Sequence, residues 1–250
     1  MPEQGGNVIK SLTVDQPMIV LVGVGHVFDI KDQVRALVLS RGPDAVLVEL
    51  DAMRYRALRA GPEATGGPKG PLTYRLLAFF QRRMAGEMGG GRAGEEMLAA
   101  IDAASEVGAE VALIDQDANE TFRRLMSEMP LKERVGLFLN SFTGLFASRS
   151  RVERELERYA EDEESMIGPM WDAFPTLVRI LIDERNQHMA ARIAHEADRH
   201  ERVMAFVGDG HIRGIVSLLD RQVEVVRLMD LMGDEEDGSE ATYSFTHRVA

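Results

Sequence analysis

The sequence predicts one α/β domain: a mostly parallel central sheet with flanking helices, a long helical insertion, and paired Gly-x-x-His turns at the carboxyl edge of the strands. Three observations carry that prediction. Short continuous apolar runs, such as 18–24, read as strands buried on both faces of a parallel sheet. Segments of helical period separate those runs, as right-handed crossovers between parallel strands require. Two distant runs end alike, in Gly23-Val-Gly25-His26 and Gly208-Asp-Gly210-His211, and each is followed by a helical pattern. The 250 residues, 45% of them hydrophobic, suffice for one large core without a second domain. The expected domain spans 1–235, with the helical insertion at about 120–200 and an acidic, loosely held tail at 236–250.

The elements follow in order. After the first strand, Val34, Leu37 and Val38 form a helical stripe stopped by Gly42-Pro43. Residues 44–50 read as a second buried strand, and Asp51 caps a short helix that ends at Gly61. The stretch 61–71 is too rich in glycine and proline for a regular element. Helical period runs through 72–88, breaks at Gly89-Gly90-Gly91, and resumes over 95–107 to close at Gly108. A third strand spans 109–114, with Asn119 as a candidate cap for the next helix. From 120 to 200 the pattern is almost wholly helical, and the charge-dominated 149–164 reads as a solvated face. A strand at 203–207, a helix through Leu219 and a strand at 223–228 complete the domain.

The formal net charge of −12 argues against broad binding to nucleic acid or to anionic membrane surfaces. With no cysteine, there is no disulfide, thiolate metal site or cysteine nucleophile, so any metal falls to His, Asp and Glu. Residues 1–17 carry Glu3, Lys10 and Asp15 and no signal-like apolar stretch, and 18–25 is too short to cross a bilayer. The expectation is a soluble, cytoplasmic chain, membrane-associated only if the native chain is longer. Residues 131–147 are apolar enough for core or for a partner-facing helix, and the frequency of symmetric dimers favours a homodimer.

In open α/β sheets ligands bind beyond the carboxyl ends of the strands, where His26 and His211 are expected. Glu49 ends the second strand inside an apolar string; isolated burial there is too costly, so it pairs or faces the same cleft. Asp115 and Asp117 repeat the pattern after the third strand, Asp117 being the weaker candidate because it also suits a helix cap. Glu96 opens a helix where an acid also complements the dipole, so structure and function are level there. Arg185 falls in the apolar stripe Val178, Leu181, Ile182, Met189, Ile193, where a guanidinium needs carboxylate partners or a substrate anion, and Asn186 lies beside it. Glu184, His188 and His195 fall on the polar side. Imidazoles and carboxylates suit Zn²⁺, Mn²⁺ or Co²⁺, which activate water. The same set also suits metal-free work, with a histidine as base, Glu49 orienting it and Arg185 at an oxyanion.

These residues lie in six ordered pieces: Val-Gly23-Val-Gly-His26-Val; Val-Glu49-Leu-Asp51-x-x-Arg54-Tyr55-x-x-Leu58; Gly94-Glu-Glu96-Met97-x-x-Ala100-Ile101; Leu-Ile-Asp115-Gln-Asp117-x-x-x-Thr121-x-x-Arg124; Glu184-Arg185-Asn186-x-x-Met189-Ala190; and Val-Gly208-Asp-Gly-His211-Ile-x-Gly214-Ile215. Together they resemble the TraB family, which includes the pheromone-shutdown proteins and is related to the Tiki metalloproteases. The resemblance implies an α/β fold with both Gly-x-x-His turns on one cleft, and a metal-dependent peptidase activity. It places His26, Glu49, His211 and Arg185 at motif positions, with Glu96, Asp115 and Asn186 accompanying them. Relatives commonly continue into carboxyl-terminal membrane spans, whereas residues 1–250 hold no apolar 18-residue run, as expected of a soluble or a truncated member, and Gln116 stands where a basic residue is expected.

The expected function is therefore a metal-dependent hydrolase, a peptidase acting on short peptides. His26, His211, Glu49 and Asp115 are the candidate metal ligands, and Glu49, Arg185, Asn186 and Glu96 the candidate catalytic residues. The alternative is a protein of the same fold that binds or sequesters a peptide or small ligand without cleaving it.

Overall fold

The computed structural model describes residues 18–25, 28–64, 94–144, 173–233 and 246–247. Strands β1 (Met18–Val24), β2 (Ala45–Val48), β3 (Glu110–Leu113), β4 (Arg202–Gly208) and β5 (Val223–Val226) form a parallel sheet in the order β3-β2-β4-β1-β5. The expected α/β class is thus the observed one. A two-residue strand β6 (Thr246–His247), inside the stretch expected as a loose tail, adds antiparallel to β5.

The apolar runs became interior strands because both faces of the sheet are covered. Val20, Val22, Val46, Val48, Met204 and Phe206 pack on one face against helix α1 (Lys31–Arg41) and a later helix, α3 (Glu95–Val107). Between them in the chain lies α2 (Ala52–Ala64), kinked at Gly61. Ile19, Leu21, Leu47, Val203, Ala205 and Val207 pack on the other face, against α7 (Glu184–Ala197) and α8 (Ile212–Leu218). Each such fully buried Val, Leu, Ile, Met or Phe side chain contributes about 1.5–3 kcal/mol of transfer free energy. Gly42 ends α1 in the left-handed region at φ 52°, its N–H on the Val38 carbonyl, as the glycine-proline stop predicts.

Helices α4 (Ala118–Glu128), α5 (Leu131–Gly144) and α6 (Pro175–Val178) build the insertion before α7, and α9 (Leu228–Met232) follows β5. Asp117, rather than Asn119, caps α4, accepting the Asn119 and Glu120 N–H groups on Oδ1. Along α5, Leu131, Val135 and Leu137 are exposed, while Glu133 is buried and accepts the Thr176 N–H and hydroxyl. A π-helical turn, Arg179–Asp183, joins α6 to α7 and adds a residue to the turn. That shift of phase buries Ile180 rather than Leu181 and Ile182. The stretches 72–88 and 149–164 lie outside the described residues.

Strand β4, late in the sequence, inserts between β1 and β2. The chain leaves β1 toward β2 through α1 on one face, and leaves β4 toward β5 through α8 on the other. Adjacent strands whose connections depart in opposite directions define the switch point at which open α/β sheets bind ligands. Val24 and Gly208 are register partners, so the two Gly-x-Gly turns leave the sheet side by side.

Candidate functional site

Four segments converge beyond the carboxyl edge. Glu49 follows β2 directly, and its N–H still bonds the Phe206 carbonyl at 3.0 Å, extending the β2–β4 ladder. Asp115 stands just past β3, Arg185 and Asn186 lie in the first turn of α7, and His211 closes the turn after β4. The carboxylates are nearly inaccessible: the Glu49 and Asp115 side chains are 4% and 3% exposed.

Arg185 is the hub. Its Nε and Nη2 grip Asp115 in a fork, each at 2.9 Å; Nη2 also donates to Glu49 Oε1; Nη1 donates to the Leu181 carbonyl and faces His211 Nε2, each at 3.2 Å. These contacts occupy all five N–H donors of a guanidinium. Burial alone would lower its proton affinity, but Glu49 and Asp115 outweigh that and hold the group more firmly charged than an ordinary arginine. Sequence periodicity asked for carboxylate partners or a substrate anion, and the chain supplies the carboxylates.

His211 is held from both sides. Its Nδ1 lies 2.7 Å from Asn186 Oδ1, and its Nε2 faces an arginine that can only donate. The arrangement selects the tautomer with hydrogen on Nδ1 and a lone pair on Nε2, 3.7 Å from Glu49 Oε1. Asn186 reaches this position because residue 214 is glycine: a Cβ there would sit 2.1 Å from Asn186 Nδ2. Glu49 Oε2 meanwhile accepts the Gly208 N–H at 2.6 Å, so the second Gly-x-x-His turn fixes the carboxylate as well as carrying the imidazole.

The other candidates divide. His26 lies outside the described residues. Glu96 is buried at the first turn of α3, where it accepts the Gly94 N–H at 3.0 Å, a capping contact. Asp117 caps α4, Glu184 pairs with Arg124 and Arg179 near the surface, and His195 is exposed. Gln116 donates its own N–H to Asp115 and its side chain to the Glu184 carbonyl.

Two contributions escaped sequence reasoning. Arg54, placed by the Asp51 cap that receives its N–H at 2.9 Å, bonds Asp115 Oδ2 at 2.8 Å with its side chain still 34% exposed. The helical step from Asp51 to Arg54 was visible in the sequence; its target was not. Asp209 accepts from Arg227 Nε and Nη2 at 2.9 and 2.6 Å and from the Leu228 N–H, pinning the histidine turn to the start of α9. It also accounts for Gly23, where a Cβ would fall 2.1 Å from Asp209 Oδ1.

The donor chemistry admits a divalent ion only in part. His211 Nε2 and Glu49 Oε1 are a neutral nitrogen and a carboxylate oxygen at a spacing compatible with a shared ion, and Asn186 supplies the outer partner that orients ligating imidazoles. Among the described residues, Asp115 is the more heavily engaged carboxylate, with two guanidinium groups and the Gln116 N–H on its oxygens, against one guanidinium and the Gly208 N–H on those of Glu49.

The TraB/PrgY/gumN family pattern matches residues 10–222, a span that includes Glu49, Arg54, Asp115, Arg185, Asn186 and His211. The chain belongs to that family. It is 31% identical over 229 residues to the uncharacterized protein MJ1365 of Methanocaldococcus jannaschii, covering 88% of this chain and 57% of that protein. The chain therefore spans little more than half the length of its relative. Among the described residues, no helix is long and apolar enough to cross a membrane.

Proposed function

We propose that this family member is a metal-dependent hydrolase that cleaves short peptides in the cleft at the carboxyl edge of the sheet. The observation that carries the reading is the preset His211: with Nδ1–H held by Asn186, its Nε2 accepts from Arg185 at 3.2 Å and lies 3.7 Å from a buried Glu49 oxygen. His211 and Glu49 would hold the ion, exchanging the Arg185 N–H groups now on those atoms, with His26, which follows Gly25 in the sequence, as the further candidate ligand. Such an ion supplies an activated water at neutral pH.

The chain's own residues do the rest. Arg185 keeps Asp115 and the Leu181 carbonyl and so anchors the first turn of α7 beneath the site. With Nε and Nη2 kept on Asp115 and Nη1 on the Leu181 carbonyl, it is a positioning residue, and the recognition of a substrate carboxylate passes to Arg54, whose side chain is one-third exposed and bonds Asp115 through Nη1. Gly208 N–H holds Glu49 Oε2 and leaves Oε1 toward the cleft.

The test is a screen of short fluorogenic peptides with protein loaded with Zn²⁺, Mn²⁺ or Co²⁺, comparing wild type with His211→Ala. Cleavage that requires the ion and disappears in the variant supports the reading. Peptides bound but recovered intact would instead establish the sequestering alternative.

A further inference from the structure

Helix α7 runs the thickness of the domain, from Arg185 at the carboxyl edge to Glu196, about 16 Å further along its axis. There it meets the first residue of β3 at the opposite edge of the sheet. Backbone bonds from the Arg199 and His200 N–H groups to the Glu196 carbonyl, each 3.0 Å, carry the helical turn past Ala197. Glu196 and His200, at i and i+4, therefore share a face. Glu110 of β3 completes the group.

Three features of this trio point to a cation. His200 Nε2 is fully buried and has no hydrogen-bond partner, a costly state for a polar atom. It lies 3.4 Å from Glu110 Oε2 and 3.7 Å from Glu196 Oε2, and the three ligand atoms fall within 4.8 Å of one another. Two ligands each about 2.0 Å from a tetrahedral ion stand about 3.3 Å apart, close to both separations. Finally, Glu196 is only 4% exposed, and a carboxylate so buried needs a positive partner. Arg199 serves now, with Nη1 2.8 Å from Glu196 Oε2 and Nη2 3.7 Å from Glu110 Oε1. Its side chain is half exposed and has open solvent to retreat into.

We propose that Glu110, Glu196 and His200 form a second divalent-metal site, separate from the carboxyl-edge cleft. One imidazole and two carboxylates, without thiolate, suit a borderline transition ion of the Zn²⁺ class. Such an ion would tie β3, which among the described residues is an edge strand paired with β2, to the end of α7. The inference stands independently of any hydrolytic activity.

The experiment is calorimetric titration of the chelator-treated full chain with Zn²⁺, accompanied by thermal unfolding with and without the metal. In wild type, a binding event is expected that His200→Ala and Glu110→Gln weaken at least about tenfold and that His211→Ala leaves in place. Arg199→Gln, which removes the competing cation, is expected to tighten the same event. Zn²⁺ should raise the unfolding temperature of wild type more than that of His200→Ala. Because Glu110 is exposed, Glu110→Gln tests the site even where His200→Ala folds poorly. Equal Zn²⁺ affinity and stoichiometry in wild type and Glu110→Gln, or no uptake by wild type, overturns the proposal and leaves the trio as an ion pair only.

Discussion

The two ends of α7 solve the same problem differently. At its start, Arg185 is built into the chain and meets two buried carboxylates, a carbonyl and an imidazole, using every donor it has. At its end, Glu196 and the Nε2 atom of His200 are buried beside Glu110, yet the only neighbouring guanidinium among the described residues is half in solvent and that nitrogen has no hydrogen-bond partner. The first end takes its positive charge from a side chain of the protein itself; the second leaves an imidazole nitrogen without a hydrogen-bond partner. A cation that the sequence supplies holds reacting groups in place before substrate arrives, whereas a cation that must be recruited makes local order depend on its concentration.

The most severe way to break the contrast is Arg185→Met. It strands Glu49 and Asp115 without their shared cation, and the expected destabilisation is about 3–5 kcal/mol, read from denaturant midpoints. Adding Glu49→Gln should recover part of that loss, because the second change removes one of the uncompensated charges. A double variant no more stable than the single would show that the ion pair is not the source.

Asn186→Ala acts more gently, releasing the His211 tautomer while leaving Arg185 in place. Metal affinity at the carboxyl edge should fall about 10–100-fold with the fold intact. Gly214→Ala should move affinity in the same direction, since its Cβ displaces the Asn186 amide. Unaltered metal affinity in both variants would remove Asn186 from the site.

Arg54→Gln separates recognition from chemistry. A lost charge-assisted hydrogen bond of about 1.5 kcal/mol corresponds to roughly a tenfold rise in KM for peptides with a free carboxylate, with kcat little changed. An equal fall in kcat would make Arg54 part of the reacting apparatus instead.

The smallest effect lies at the surface between α4 and α7. Hydrogen bonds, from Arg124 above all, hold the Glu184 carboxyl below its ordinary range, and Arg179 does the same first for Glu128. Because the folded values are depressed, the stabilisation is present above the unfolded glutamate value of about 4.3 and is lost as pH falls through the folded ones. Arg124→Gln should therefore be less stable than wild type at pH 7, with the gap closing as the solution is acidified below about pH 4. A gap independent of pH would assign the loss to packing.

Much of this was legible in the sequence. The strand runs, the Gly42 stop and the Asp51 cap follow from local chemistry, and the burial of Arg185 followed from helical period. Strand order did not, because β4 enters between β1 and β2 through pairings distant in the chain. The π-helical turn also escaped notice, as nothing in a 3.6-residue period announces an added residue. In the site, residue types revealed Glu49, Asp115, Arg185, Asn186 and His211. Who pairs with whom was hidden: the commitment of Asp115 to two arginines depends on α2 and α7 arriving from separate parts of the chain. Nothing in the sequence sets Glu196 apart; the fold brings it beside the His200 imidazole.

The most direct test of the central claim, that the preset His211 and Glu49 form a metal-dependent hydrolytic site, is metal content and peptide cleavage measured on the same preparations of wild type and His211→Ala. The account predicts a bound transition ion and cleavage in wild type, with that carboxyl-edge ion and the cleavage both lost in the variant. Cleavage that persists at the wild-type rate in His211→Ala would contradict it.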